Sequence, residues 1–302
     1  VSAPAGDEAA RIAERFVNDR RIVAVVGHTS SSATLAAARL YEGHLAAVAT
    51  MATSTELSDF SPWLFRVSPS DRTRGADLAR FVLAQGWRRV AVLYRNGTYG
   101  RGLTSAFQEA LERGGGELIA ADPVLDDATD YNVFLRTYAR SKPDAVLALT
   151  SPPSARTFLQ QADAHRVSAH IIGGDAWPGR IADDPAANGV FILSTFFPDD
   201  TTAAATRFRT RFRARYGHDP DAPAALGYDA ALAVIAALRR GGANRAGVRD
   251  ALASRSGILV HGATGPISFT SGDRVEQIGG LLRVADGRLT THLRWAKIAY
   301  DP

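Results

Sequence analysis

The sequence predicts an α/β protein of two lobes, each a mainly parallel sheet flanked by helices. Three observations carry that prediction. Strand-like and helix-like segments alternate from one end of the chain to the other, the pattern of layered α/β folds. The strand-like runs are short and uninterruptedly apolar, as in Ile22-Val23-Ala24-Val25-Val26 and Ala145-Val146-Leu147-Ala148-Leu149, which suits strands buried on both faces. The 302 residues suffice for one large domain or for two lobes with separate cores, and we expect two.

The elements follow in order. A helix over 7–19 leads to strand 22–26, helix 33–41 and strand 45–49. An extended stretch at 63–67 precedes helix 71–85, strand 89–94, helix 99–113, strand 117–121, helix 130–140, strand 144–149, helix 154–165 and strand 169–172. Strand 190–194 and helices 201–215, 223–239 and 244–254 come next, then the extended Pro266-Ile267-Ser268-Phe269 and two strands near 277–284 and 289–298. Several ends are signposted. Asp130 stands before helix 130–140, Gly114-Gly115-Gly116 stops helix 99–113, and Pro143 separates a helix from the strand after it. Leu232, Ile235 and Leu238 mark an apolar stripe on helix 223–239.

Composition narrows the function classes. Hydrophobic residues make up 46% and charged residues 22%, far from the signature of disorder. The formal charge is only +4, yet the pI is about 9.6 because nearly every base is arginine. These arginines are scattered, and no stacking platform of aromatics is interleaved with them, which argues against nucleic acid. The densest run, 207–215, carries Phe208 and Phe212 four apart, so the phenylalanines seat a surface helix while the arginines stay in water. Without cysteine there is no disulfide, thiolate metal site or thiol nucleophile, and the seven histidines form no pair at metal-ligand spacing. No uninterrupted apolar run reaches the roughly 20 residues that span a bilayer, so no direct membrane insertion is expected. The start lacks a signal pattern, and a chain that does not begin with methionine is compatible with a signal already removed.

Two hydroxyl-rich turns stand at strand carboxyl ends. Gly27-His28-Thr29-Ser30-Ser31-Ser32 joins a strand to a small-residue helix, a junction whose free N–H groups and helix dipole suit an anion. Thr50-Met51-Ala52-Thr53-Ser54-Thr55 follows the next strand. Neighbouring polar turns of this kind make a ligand cleft. Enzymatic readings find less support. Gly97-Thr98-Tyr99-Gly100-Arg101-Gly102 has the glycine order G-x-x-G-x-G, not that of a dinucleotide fingerprint, and there is no G-x-x-x-x-G-K-[ST]. His28, Ser31 and Asp175 could be drawn as a triad, but there is no G-x-S-x-G elbow.

The chain resembles the type I periplasmic solute-binding proteins of the leucine/isoleucine/valine-binding class, which feed ABC importers. The resemblance rests on Val-Val-Gly-His-Thr-Ser-Ser-Ser-Ala-Thr at 25–34, Ala-Thr-Ser-Thr-Glu-Leu at 52–57, Phe-Arg-Val-Ser-Pro-Ser-Asp at 65–71 and Tyr-Gly-Arg-Gly-Leu at 99–103. It continues through Ile-Gly-Gly-Asp at 172–175, Gly-Tyr-Asp-Ala at 227–230 and Gly-Pro-Ile-Ser-Phe at 265–269. It implies two lobes joined by three hinge crossings, one of 1–69 plus 201–277 and the other of 70–200 plus 278–302, with a ligand between them. Members of the family begin with two further strands and a helix. The first lobe is therefore expected to be completed by a preceding segment or by another chain.

By resemblance, the hydroxyls of Ser31 and Thr53 bind a ligand's carboxylate and ammonium, with a backbone contact at Met51. Asp175 takes the ammonium, and Tyr99 approaches from the second lobe. Ser151 and Trp177 complete the expected ligand-binding set. The turn Thr150-Ser151-Pro152-Pro153-Ser154 departs from the family's usual glycines or tyrosine, which leaves the side-chain pocket open. Plainer roles stand beside these. Ser31 is also a natural helix cap, Asp175 could cap a turn or pair with Arg180, Tyr99 and Trp177 could pack, and Met51 could fill a gap. The expected function is capture of a small amino acid or related amide outside the cytoplasm, in the periplasm or extracellularly, for a membrane permease, without catalysis or cofactor. Any lipid anchor would belong to a segment outside this chain. A ligand-sensing regulatory domain of the same fold is the alternative.

Overall fold

A computed structural model of the chain describes residues 5–125, 128–151, 153–177, 179–254, 258–275 and 279–295. The elements run α1 (Ala5–Asn18), β1 (Ala24–Val26), α2 (Ser31–Tyr41), β2 (Ala46–Ala49) and β3 (Leu64–Arg66). Next come α3 (Asp71–Ala84), β4 (Arg89–Arg95), α4 (Thr98–Arg113), β5 (Glu117–Val124), α5 (Asn132–Ser141), β6 (Ala145–Leu149), α6 (Ser154–Ala164), β7 (His170–Gly173) and β8 (Phe191–Ser194). The chain continues through α7 (Ala203–Tyr216), α8 (Ala222–Gly241), α9 (Arg245–Leu252), β9 (Val260–Gly262), β10 (Gly265–Ile267), β11 (Phe269–Thr270), β12 (Asp273–Arg274), β13 (Gly280–Ala285) and β14 (Arg288–Arg294). Positions 277–278 and 296–298 of the last two expected strands lie outside the described residues.

The chain divides into two units. The first holds the residues up to Ser70 and the stretch from Asp200 to Ile278; the second holds Asp71–Asp199 and Gly279–Trp295. Among the described residues, the sheet of the first unit runs β1-β2-β3-β12-β11, with β1, β2, β3 and β12 parallel and β11 antiparallel to β12. Its strands alternate faces as the pleat requires. Ala47 and Ala49 meet Ala9, Ala13, Ala38 and Tyr41 on one side, while Ala46 and Val48 meet Leu226, Ala230 and Ala233 on the other.

In the second unit the order is β14-β13-β8-β7-β6-β4-β5. The strands from β8 to β5 are parallel, and β13 and β14 close the other edge antiparallel. Ala91, Leu93, Val146 and Ala148 face Tyr131, Leu135, Phe158 and Leu159. Val90, Val92, Leu147 and Leu149 face Leu78, Phe81, Leu103 and Phe107. Each unit is thus a helix–sheet–helix sandwich with cores on both faces of its sheet.

The predicted stripe on α8 needs correction. Ile235 is 43% exposed and Leu232 and Leu238 are half-buried, whereas Leu226, Ala230, Ala233 and Ala237 are buried. Small side chains on that face bring the helix close to the sheet, and the larger ones are left at the margins. By length and composition α8 is also apolar enough to cross a membrane. In the fold, its buried Asp229 accepts hydrogen bonds from Thr264 N (3.0 Å) and Ala263 N, which ties the helix to the turn after β9. Phe208 is buried under α7 against Tyr228, and the exposed Arg211 and Arg215 remain on the outer face as expected.

Candidate functional site

The first cluster of polar side chains sits where α2 begins. Ser30, not Ser31, is the cap of that helix: its Oγ accepts from Ala33 N at 3.3 Å. Ser31 is the first helical residue and is 3% exposed. Its Oγ accepts from Thr53 N and Ser54 N, each at 3.2 Å, so it crosslinks the helix start to the turn after β2. That turn is pinned again by Arg66, whose Nη1 donates to Ser54 O at 2.7 Å while Nε donates to Asp273 at 2.6 Å, and by Ser68 Oγ on Ala52 O at 2.9 Å.

A serine hydroxyl has two acceptor lone pairs and one donor hydrogen. With both lone pairs of Ser31 engaged, its hydrogen is left for an incoming acceptor. Thr53 is fully buried, and its Oγ1 has no hydrogen-bond partner. Such a hydroxyl costs about 1–3 kcal/mol when left unpaired, and an added partner would recover that cost. Two hydroxyls beside the positive end of a helix suit a carboxylate. Met51, two residues earlier, is half-buried and packs on the core that α8 covers.

His28 belongs to the same turn but is occupied. Its ring stacks on Tyr41 at 5.9 Å, with Nε2 3.1 Å from the phenol oxygen. Burial pulls the imidazole below its ordinary range and pushes the Tyr41 phenol up to about 12.

The second cluster lies in the other unit, at the carboxyl ends of β6 and β7 and the starts of α3 and α4. Asp175 is 6% exposed and forms an ion pair with Arg74, itself 3% exposed. Tyr99 donates from its hydroxyl to Asp175 Oδ1 at 2.8 Å. Burial, reinforced by the Asp175 carboxylate, raises the Tyr99 phenol well above its ordinary range, so it stays a donor. Burial opposes the charge on Arg74, but Asp175, Tyr99 and Asp71 together outweigh it and raise the guanidinium. The partner of Asp175 is therefore Arg74; the side chain of Arg180, the alternative suggested by sequence, is outside the described residues.

The glycine motif at 97–102 positions Tyr99. A Cβ on Gly100 would lie 2.0 Å from Arg95 O, so only glycine lets α4 start this close to β4. Trp177 is 4% exposed, with its ring against Gly173, where a Cβ would come within 2.4 Å, and Nε1 on Thr150 Oγ1 at 3.2 Å. The indole thus fills the core that α5 and α6 cover. Ser151 is half-buried, its Oγ 2.8 Å from Ser154 Oγ. Sequence reasoning missed Arg74, which it counted among the scattered arginines. The available signal was the spacing of Asp71, Arg74, Leu78 and Val82, which share one buried helix face. Among the described residues no group of three or more His, Cys, Asp or Glu is placed to hold a metal ion.

A family model described as periplasmic binding protein matches residues 3–287. The chain belongs to that family. As a periplasmic binding protein it has the two-lobed α/β architecture of type I members, and the family is one of ligand binders. It is 26% identical over 192 residues to the leucine-specific-binding protein of Salmonella typhimurium, covering 61% of this chain and 52% of that protein. The chain thus spans about half the length of that relative. An ABC transporter substrate-binding protein from Desulfitobacterium hafniense, solved in complex with Leu, is 26% identical, with a TM-score of 0.81 over 94% of this chain and 84% of that one. A solute-binding protein from R. palustris, solved in complex with benzoate, shares the fold at a TM-score of 0.89 and 19% identity, covering 100% of this chain and 86% of that one.

Proposed function

We propose that this periplasmic binding protein captures a small amino acid outside the cytoplasm and delivers it to the permease of an ABC importer. The observation that carries the reading is the pair at the start of α2: the donor hydrogen of Ser31 and the buried, partnerless Thr53 Oγ1. They would bind the ligand's carboxylate, with the backbone at Met51 beside them, and charge-assisted hydrogen bonds of this kind contribute about 1.5–3 kcal/mol each. Asp175 would take the ammonium. A carboxylate has about four lone-pair positions, and Arg74 and Tyr99 use two here. Trp177 and Ser151 would act behind that contact by holding the ends of β6 and β7 in place.

A ligand stabilises whichever conformation binds it more tightly, and a permease can read that conformation. The relatives named for leucine binding and ABC transport support the transport role. A thermal-shift screen against amino acids, sugars and nucleotides tests the reading. Stabilisation by at least one α-amino acid is expected, and a hit list confined to sugars or nucleotides would reject it.

A further inference from the structure

Arg74 is the least expected member of the second cluster. Nη1 of its guanidinium is bound to Asp175, but Nη2 is buried and has no hydrogen-bond partner. A charged N–H group withheld from water and left unpaired is costly to keep, so the fold retains it where an acceptor is to come. The buried Asp71 carboxylate also acts electrostatically on Arg74 and Tyr99, but it is Asp175 that contacts the guanidinium. The charge of Asp175 is already matched by Arg74 in contact, and Tyr99 donates to its other oxygen. A lone ammonium arriving at Asp175 would meet a guanidinium beside it. A ligand that brings an acceptor oxygen as well as the ammonium would match both members of the pair.

We propose that Arg74 is a specificity-determining residue, and that its free Nη2 selects amino acids whose side chain ends in a carboxylate or carboxamide over purely aliphatic ones. The proposal rests on the amino-acid reading of the same site and deepens it. The acceptor on the ligand would complete the guanidinium's hydrogen bonds while its ammonium uses the remaining lone pairs of Asp175. An aliphatic side chain would leave Nη2 as bare as it is without ligand, and discrimination of this kind is strong because a buried polar group is left unpaired by the wrong substrate.

Calorimetric titration of the whole protein against leucine, isoleucine, aspartate, glutamate, asparagine and glutamine tests this, alongside Arg74→Gln. The wild type should bind at least one of the last four at least tenfold more tightly than leucine or isoleucine, and Arg74→Gln should reduce that preference to less than threefold. If Arg74→Gln does not fold, Arg74→Gln combined with Asp175→Asn removes both charges, so that neither is left buried without its counter-charge. The wild-type ranking decides the ligand class without either variant. Tightest binding of leucine or isoleucine would overturn the inference and leave the amino-acid reading intact. A preference for the polar four that survives the loss of Arg74 would overturn the role given to that residue. Failure of all six to bind would overturn the inference, while the amino-acid reading is decided by the thermal-shift screen.

Discussion

Thr53 is fully buried, and the fold leaves its hydroxyl without a hydrogen-bond partner. Because its Oγ1 contributes no hydrogen bond to the fold, Thr53→Val should leave the melting temperature of the ligand-free protein unchanged or raise it, by up to about 1–2 kcal/mol of stability. Denaturant titration checks this. Ser31 differs. Removing its Oγ leaves the N–H groups of Thr53 and Ser54 without their acceptor, so Ser31→Ala should destabilise the first lobe by about 1–3 kcal/mol as well as weaken binding. Asp175→Ala would strand the Arg74 guanidinium in the interior and should cost about 3–5 kcal/mol in unfolding experiments. At this scale the sequence was only partly legible. A serine in a strand-to-helix turn reads as a cap, and only the coordinates show that Ser30 does the capping while Ser31 binds a second turn 22 residues away. Arg74 was hidden for another reason: arginine is so often a surface residue that its place on a buried helix face was passed over.

The helix α3 concentrates the consequences of that burial. Asp77, on the same face, is 7% exposed, and burial pushes its carboxyl from the ordinary 3.8 up to about 6 in spite of Arg80 beside it. The folded state therefore holds this proton more tightly than the unfolded chain does. Stability falls as pH rises from about 4 to about 6 and stays lower above that. Asp77→Asn should raise stability by about 1–3 kcal/mol at pH 7.5, with the gain vanishing near pH 4. Thermal melts of both proteins across that range would show it, and a constant difference would refute it. The helices and longer strands were legible, because apolar runs and helical stripes are strong signals, whereas β9 and β12, of three and two residues, were too short to leave one. Which face of α8 is buried was not. Leu232, Ile235 and Leu238 outweigh alanine on any hydrophobicity scale, yet Ala230, Ala233 and Ala237 let the helix approach the sheet.

At the scale of the whole molecule, each lobe has its own sheet and its own pair of cores. The alternation of strand and helix made the layered fold readable without a structure. The pattern of strands brought the turns of Ser31 and Thr53 together, but the roles of Ser31, Thr53, Tyr99 and Asp175 required resemblance to a family. The structure then joins them in two clusters, Ser31 with Thr53 and Tyr99 with Asp175, and adds Arg74 to the second. A bound ligand stabilises the native state by mass action, about 2.7 kcal/mol at a hundredfold excess over Kd, so the cognate amino acid should raise the melting temperature in proportion to the logarithm of its concentration. The central claim is that the hydroxyls at the start of α2 hold the ligand's carboxylate. Calorimetric titration of wild type and Thr53→Val with the tightest-binding amino acid tests it most directly. We expect at least a tenfold loss of affinity in a variant that melts no lower than wild type, and equal affinities would contradict the account.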